Sequence, residues 1–169
     1  MKGASQGGNS YFPIVLDLKR RRILVVGGGK VAARKIGKLL EAQAKVTIVA
    51  PQLVPVLMEL VQQEKVNWIE GRYKTGHLLN YDLVIAATDD QALNLQIVQE
   101  TKARNILVNS VDGASNSDFL FPALIRRGDL LIAVSTSGKR PALARKIRQE
   151  LEFIFGQEYA EIVNRNETF

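Results

Sequence analysis

Two periodicities alternate along the chain as far as Val111. Ile23–Val26 is an unbroken apolar run that stops at Gly27-Gly28-Gly29. From there Ala32, Ile36, Leu39 and Leu40 recur on one helical face, and Arg34, Lys38 and Glu41 fall on the other. The pattern predicts a strand, a tight turn and a helix. Lys45–Val49 predicts a second strand ended by Ala50-Pro51, after which Leu53, Leu57, Leu60 and Val61 recur at helical spacing. Val66–Glu70 predicts a third, shorter strand, and Gly71–Asn80 a loop, with or without one helical turn. Leu83–Ala87 is apolar throughout, as a central parallel strand covered on both faces should be. Thr88-Asp89-Asp90 offers N-caps for a helix through about Ala103, whose stripe at Leu93, Ile97 and Val98 is weaker. Ile106–Val111 predicts a fifth strand.

Such alternation with short connections predicts an α/β fold, a Rossmann-like doubly wound parallel sheet with right-handed crossovers. The pattern then changes. Phe119–Arg126 and Leu130–Ser135 are strand-like runs separated only by Arg127-Gly128-Asp129. So short a link cannot make a parallel crossover, so a β-hairpin is predicted, extending the sheet or covering one edge. After Gly138, Pro141 stands where a helix starts, and Leu143, Ile147, Leu151, Ile154 and Phe155 form its apolar stripe. Gln157–Asn164 predicts a last helical fragment. Upstream, Tyr11–Leu18 carries one proline and predicts an extended segment on a sheet edge. The expected organisation is a disordered leader over 1–10, rich in Gly, Ser and Asn, a Rossmann-like domain over 11–113 and a hairpin-plus-helix segment over 114–169.

The turn after the first strand is where chemistry enters. Gly27, Gly29 and Ala32 match the G-x-G-x-x-G/A dinucleotide fingerprint. Gly27 permits the sharp turn, Gly29 lets a pyrophosphate approach the backbone, and Ala32 lets the helix pack close. The competing reading is a strand–helix turn that merely needs glycine; the two flanks favour the nucleotide. A usual NAD site has an acid ~20 residues past the glycines for the ribose hydroxyls. Here that place reads Val49-Ala50-Pro51-Gln52, so either no nucleotide binds or the ribose is held by backbone groups around Pro51 and by the amide of Gln52. No cation for a 2′-phosphate is adjacent.

In open α/β sheets the ligand lies beyond the carboxyl ends of the strands. Thr88-Asp89-Asp90, Asn109–Gly113 and Ser135–Lys139 all end predicted strands. Asp112 is the candidate for proton transfer, a lone carboxylate past an apolar strand whose partial burial would raise its pKa. The alternative is an Asp-Gly turn bonding its own backbone. Asp89 and Asp90 read as helix caps, while Thr88 offers a hydroxyl or amide to a cofactor. His77, the one histidine, reads as a surface or capping residue.

Composition narrows the classes. The chain has 169 residues, 46% of them hydrophobic, and no cysteine, which excludes disulfides, thiolate metal sites and cysteine nucleophiles. No apolar run reaches membrane-spanning length and no signal-peptide pattern opens the chain, so a cytoplasmic protein is expected. The net charge of +6 suggests an anionic partner, nucleic acid, phosphate or a polycarboxylate small molecule, against the alternative of a solvated basic surface. Helices of mixed charge without an aromatic stacking platform argue against nucleic acid. No His/Cys/Asp cluster has metal-ligand spacing.

Taken together, V-V-G-G-G-K-V-A-A-R-K, V-A-P after the second strand, A-A-T-D-D, V-N-S-V-D, F-P-A-L-I-R, A-V-S-T-S-G and P-A-L-A-R-K-I-R resemble the precorrin-2 dehydrogenase family, the N-terminal module of sirohaem synthase. The resemblance runs in order from Phe12 to about Leu151, and this family also ends its second strand without an acid. It implies NAD as cofactor, with Gly27, Gly29, Lys30, Val31 and Ala32 at the pyrophosphate, Pro51 and Gln52 at the ribose, and Thr88 facing the cofactor. It implies Asp112 as the catalytic aspartate, and oxidation of precorrin-2 to sirohydrochlorin. Ser135, Thr136, Ser137 and Gly138 would line the substrate site. Thr136 stands where some members carry serine. Arg126 and Lys139, with Arg127, Arg140 and Arg145, would hold the carboxylates of the tetrapyrrole. Some relatives also insert Fe²⁺ into the product, and Asp112 would then take pyrrole protons. A homodimer is expected. Family members continue into a longer helical region, whereas a short tail follows Phe155 here, through truncation or compactness. The alternative function is a non-catalytic NAD-sensing Rossmann module.

Overall fold

A computed structural model describes residues 11–165; the expected leader lies outside them. The described residues form two compact units, one over 12–119 and one over 120–165, which Tyr11 joins.

The first unit is built in the order β1 (Arg22–Val26), α1 (Lys30–Glu41), β2 (Lys45–Ala50), α2 (Pro55–Gln62), β3 (Asn67–Glu70), a 3₁₀ turn (Thr75–Leu78), β4 (Leu83–Ala86), α3 (Gln91–Lys102) and β5 (Leu107–Ser110). Its five strands are all parallel, in the order β3-β2-β1-β4-β5. The direction of winding reverses between β1 and β4, the place where such sheets hold ligands. Successive strand residues face opposite sides of the sheet. Leu24, Val26, Val84, Ala86 and Val108 pack with Ile97 and Val98 of α3 and with Leu78 of the 3₁₀ turn. Ile23, Val25 and Ile85, out of phase with these, are equally buried, and α1 packs on β1 and β2 through Ala32, Ile36 and Leu39. At ~1.5–3 kcal/mol for each large aliphatic side chain removed from water, these two layers dominate the stability of the unit.

Two expectations are corrected, at Tyr11–Leu18 and in α2, while the capping readings of His77 and Asp90 agree with the structure. Tyr11–Leu18 forms no strand, and Phe12 and Val15 are each 84% exposed; the proline at position 13 withholds an amide from any ladder. In α2 only Leu57 is fully buried; Leu53 precedes the helix, and Leu60 and Val61 are partly buried. His77 serves as a cap, its Nδ1 accepting from the Lys74 amide at 3.0 Å. Asp90 caps α3, its carboxylate accepting from the Leu93 amide at 3.0 Å.

In the second unit β6 (Ala123–Arg127) and β7 (Leu130–Val134) pair antiparallel, with Arg127 opposite Leu130. The hairpin turn is therefore Gly128-Asp129 alone, with Gly128 at φ +56°. The hairpin does not extend the five-stranded sheet but is a sheet of its own, and Phe119–Pro122 stays outside the strand. α4 (Pro141–Ile154) packs on both strands, with Ala144 as its one fully buried residue, and α5 (Tyr159–Ile162) follows. The Arg127 guanidinium donates to the Phe155 carbonyl at 3.0 Å and ties the hairpin to the end of α4. Among the described residues no helix is long and apolar enough to cross a membrane.

Candidate functional site

The three consecutive glycines do three different things. Gly27 has φ +120°, and a Cβ there would lie 2.2 Å from the Ala87 carbonyl oxygen, so the turn out of β1 presses on the end of β4. A Cβ on Gly28 would lie 2.0 Å from the Gln52 carbonyl oxygen, and the Val54 amide donates to the Gly28 carbonyl at 2.9 Å. Gly28, a free position in the fingerprint, is thus what seats the loop after β2. Gly29, by contrast, has nothing within 4 Å of its missing side chain. It is the N-cap of α1, and the first amides of this twelve-residue helix are left without a side-chain cap, with Lys30 and Val31 exposed beside them. Main-chain donors, the positive helix end and a clear approach together fit the pyrophosphate of a dinucleotide. Pro51 and Gln52 are exposed at the end of β2, where the Trp68 indole N–H and the Gly71 amide satisfy the Ala50 carbonyl.

Across the β1/β4 reversal, Thr88 and Asp112 are joined through Asn94 of α3, which is 0% exposed. Asn94 Oδ1 accepts from the Thr88 amide at 3.2 Å, and its Nδ2 donates to the Thr88 carbonyl at 3.0 Å and to Asp112 Oδ2 at 2.9 Å. The Ser110 hydroxyl accepts from the Asp112 amide at 3.2 Å and lies 3.5 Å from Oδ2. The partial burial expected of Asp112 is absent: the residue is exposed, because the chain leaves β5 at Ser110 and turns outward at Gly113, φ +131°. Nor does the carboxylate close an Asp-Gly turn on its own backbone; side chains hold it.

Behind this edge, Asn109 faces the other side of β5. Its Nδ2 donates to the Phe119 carbonyl, and its Oδ1 accepts from Lys35 Nζ of α1, both at 2.8 Å. Burial, and then the charges of Arg34 and Lys38, lower the Lys35 pKa to about 8. Asp118 completes the return of the chain, its Oδ2 accepting from the Val108 amide at 3.0 Å. The loop carrying Asp112 is therefore pinned at both ends.

The remaining sequence-selected residues belong to the second unit. Ser135–Lys139 forms a tight turn between β7 and α4, with Ser137 and Gly138 at φ +54° and +79°. The Ser135 hydroxyl accepts from the Ser137 amide at 3.1 Å, and Thr136 Oγ1 from the Arg140 amide at 3.0 Å. Arg126, on β6, has a buried Nε without a hydrogen-bond partner. Among the described residues no three His, Cys, Asp or Glu groups gather as a metal site.

Sequence reasoning missed Gly28, Asn94 and Lys35. Only Asn94 left a trace: it occupies a buried-face position of α3, with Ile97, Val98 and Thr101, which is why that stripe looked weak. Thr101 satisfies its hydroxyl on its own helix, at the Ile97 and Val98 carbonyls, whereas Asn94 reaches across to other elements.

Comparison with known proteins converges on one family. Residues 14–123 match an NAD(P)-binding family, and residues 127–152 match the family described as sirohaem biosynthesis protein central. The chain is 45% identical over 158 residues to siroheme synthase 1 of Serratia proteamaculans (strain 568), covering 92% of this chain and 33% of that protein. It is 46% identical over 142 residues to the siroheme synthase of Photorhabdus laumondii subsp. laumondii, covering 84% of this chain and 30% of the relative. It thus spans about a third of the length of the curated relatives it matches. Among solved structures, SirC, precorrin-2 dehydrogenase, superposes with a TM-score of 0.78 at 32% identity, over 91% of this chain and 76% of that one. A glycine turn open to a dinucleotide, a sheet and hairpin matched in sequence, and this extent of shared structure place the chain in the precorrin-2 dehydrogenase family.

Proposed function

We propose that the chain oxidises precorrin-2 to sirohydrochlorin with NAD⁺. The observation that carries this reading is the arrangement at one end of the sheet. A turn with open main-chain donors follows β1, and a carboxylate follows β5, fixed through Asn94 to Thr88 at the end of β4. NAD⁺, when bound, supplies the acceptor for the hydrogen and electron pair of one macrocycle C–H bond.

The chain's residues do the rest. The amides of Lys30, Val31 and Ala32 hold the pyrophosphate, with Gly27 and Gly29 keeping the turn sharp and clear. Backbone groups at Pro51 and Gln52 hold the ribose. Thr88 faces the cofactor. Asp112 accepts the proton that leaves a second macrocycle position, its carboxylate becoming a carboxylic acid, and its exposure lets that proton pass on to water. Arg126 and Lys139, with the turn Ser135–Gly138, take substrate carboxylates. The first unit serves as the cofactor-binding domain and the second as the substrate and dimerisation segment. We assign the protein to the cytoplasm, and a homodimer to α4, where Phe153 is 91% and Ile154 62% exposed.

The test is incubation with precorrin-2 and NAD⁺ while both chromophores are followed. NADH and the oxidised macrocycle are expected to appear together. Saturable NAD⁺ binding without either product would instead make the chain an NAD-sensing module. Fe²⁺ added after oxidation tests chelation separately.

A further inference from the structure

Asn94 is a costly choice for its position. It is fully buried in the first turn of α3, on the face that packs against the sheet, where an aliphatic residue would stabilise the helix more. Its carboxamide has two acceptor lone pairs and two N–H donors; both N–H groups are used, and Oδ1 accepts from the Thr88 amide and shares the Thr88 hydroxyl with the Asp90 carbonyl. Oδ1 takes the Thr88 amide at 3.2 Å and the Thr88 hydroxyl at 2.8 Å. Nδ2 gives to the Thr88 carbonyl at 3.0 Å and to Asp112 Oδ2 at 2.9 Å. The reverse orientation of the amide would set its NH₂ against the Thr88 N–H, so the assignment of O and N follows from the partners.

We propose that Asn94 is a positioning residue for the dehydrogenation: it aims the Asp112 carboxylate and holds it in register with Thr88 by a single planar group. The inference rests on Asp112 as the proton acceptor in the proposed reaction. A proton acceptor must lie within hydrogen-bond reach of the proton it takes, and the Asn94 N–H at 2.9 Å fixes where the Asp112 carboxylate points. The other charged groups on the surrounding elements have partners or positions of their own. Lys35 of α1 bonds Asn109, Asp118 bonds the Val108 amide, Asp90 caps α3, and Asp89 is exposed ahead of it. Asn94 is thus the one side chain of α3 bonded to the Asp112 carboxylate.

The experiment compares the pH dependence of kcat for the full chain and for Asn94→Asp, with precorrin-2 and NAD⁺. The variant keeps the acceptors for Thr88 but sets a second carboxylate against Asp112, and two carboxylates at hydrogen-bond distance do not both ionise readily. The acid limb of kcat is expected to move up by about one pH unit or more, and the lost aim of the carboxylate to lower the plateau of kcat above that limb ~tenfold. A folded variant that melts lower but keeps its acid limb in place overturns the proposal, since that is the signature of a purely structural role. If Asn94→Asp does not fold, Asn94→Ser decides. It replaces the amide with a hydroxyl too short to span Thr88 and Asp112, adds no charge, and is expected to lower kcat ~tenfold while the KM for precorrin-2 changes less; an unchanged kcat overturns the proposal. A wild-type chain that forms no NADH refutes the dehydrogenase reading itself, and this inference with it.

Discussion

At the scale of single residues, the three glycines make separable predictions. Gly29→Ala meets no neighbour and has φ −88°, so it should cost less than about 1 kcal/mol of stability in a denaturant titration. It should weaken NAD⁺ binding at least ~tenfold, because the new methyl group occupies the approach of the phosphates. Gly27→Ala forces a strained φ and drives its Cβ into the Ala87 carbonyl; Gly28→Ala does the same to Gln52 without the strain in φ. Each should cost several kcal/mol or prevent folding, whether or not cofactor is present. Asp112→Asn should lower kcat by ~10²–10⁴ with NAD⁺ affinity retained, since the aspartate touches no part of the glycine turn. The fingerprint in the sequence located this turn but could not rank its glycines. The contacts of Gly27 and Gly28 come from Ala87 and Gln52, which register and loop closure bring near.

Elements show why some of the site was legible and some was not. The apolar runs of β1, β2 and β4, and the amphipathic face of α1, are local patterns, and each appears where periodicity placed it. α3 is different: two of its four fully buried residues, Asn94 and Thr101, are polar, and no one-dimensional pattern says that a buried asparagine has partners on two other elements. Asp112 was visible as a lone carboxylate after a strand, but its exposure was not, because the outward turn at Gly113 is set by φ rather than by hydropathy. The Lys35–Asn109 link between α1 and β5 carries its own prediction. The folded pKa of about 8 lies below the unfolded value near 10.5, so the unfolded chain binds the extra proton between these values. Below pH 8 the lysine is charged in both states and its burial cost is present in full. Stability gained through this group should therefore rise with pH from about 8 to 10.5, and Lys35→Met should flatten the rise in urea titrations across that window.

For the whole molecule, a strand–helix alternation followed by a hairpin and a long helix was legible in the sequence, because connection length alone separates parallel crossovers from hairpins. Which sheet the hairpin joins was not legible: edge pairing depends on hydrogen bonds that leave no mark on composition. The exposed apolar residues of α4 place a further prediction at this scale. Sedimentation should find a dimer, and Phe153→Glu should shift it toward monomer with little change in the melting temperature of the first unit.

The seat of the loop after β2 bears on coenzyme choice. At Gln52 the main chain is what presses on Gly28, while the residue remains exposed, so the position separates architecture from selectivity. Gln52→Arg therefore offers a route to accepting a phosphorylated ribose with the turn undisturbed, a retuning that dehydrogenases with a carboxylate at this place achieve only by first removing it.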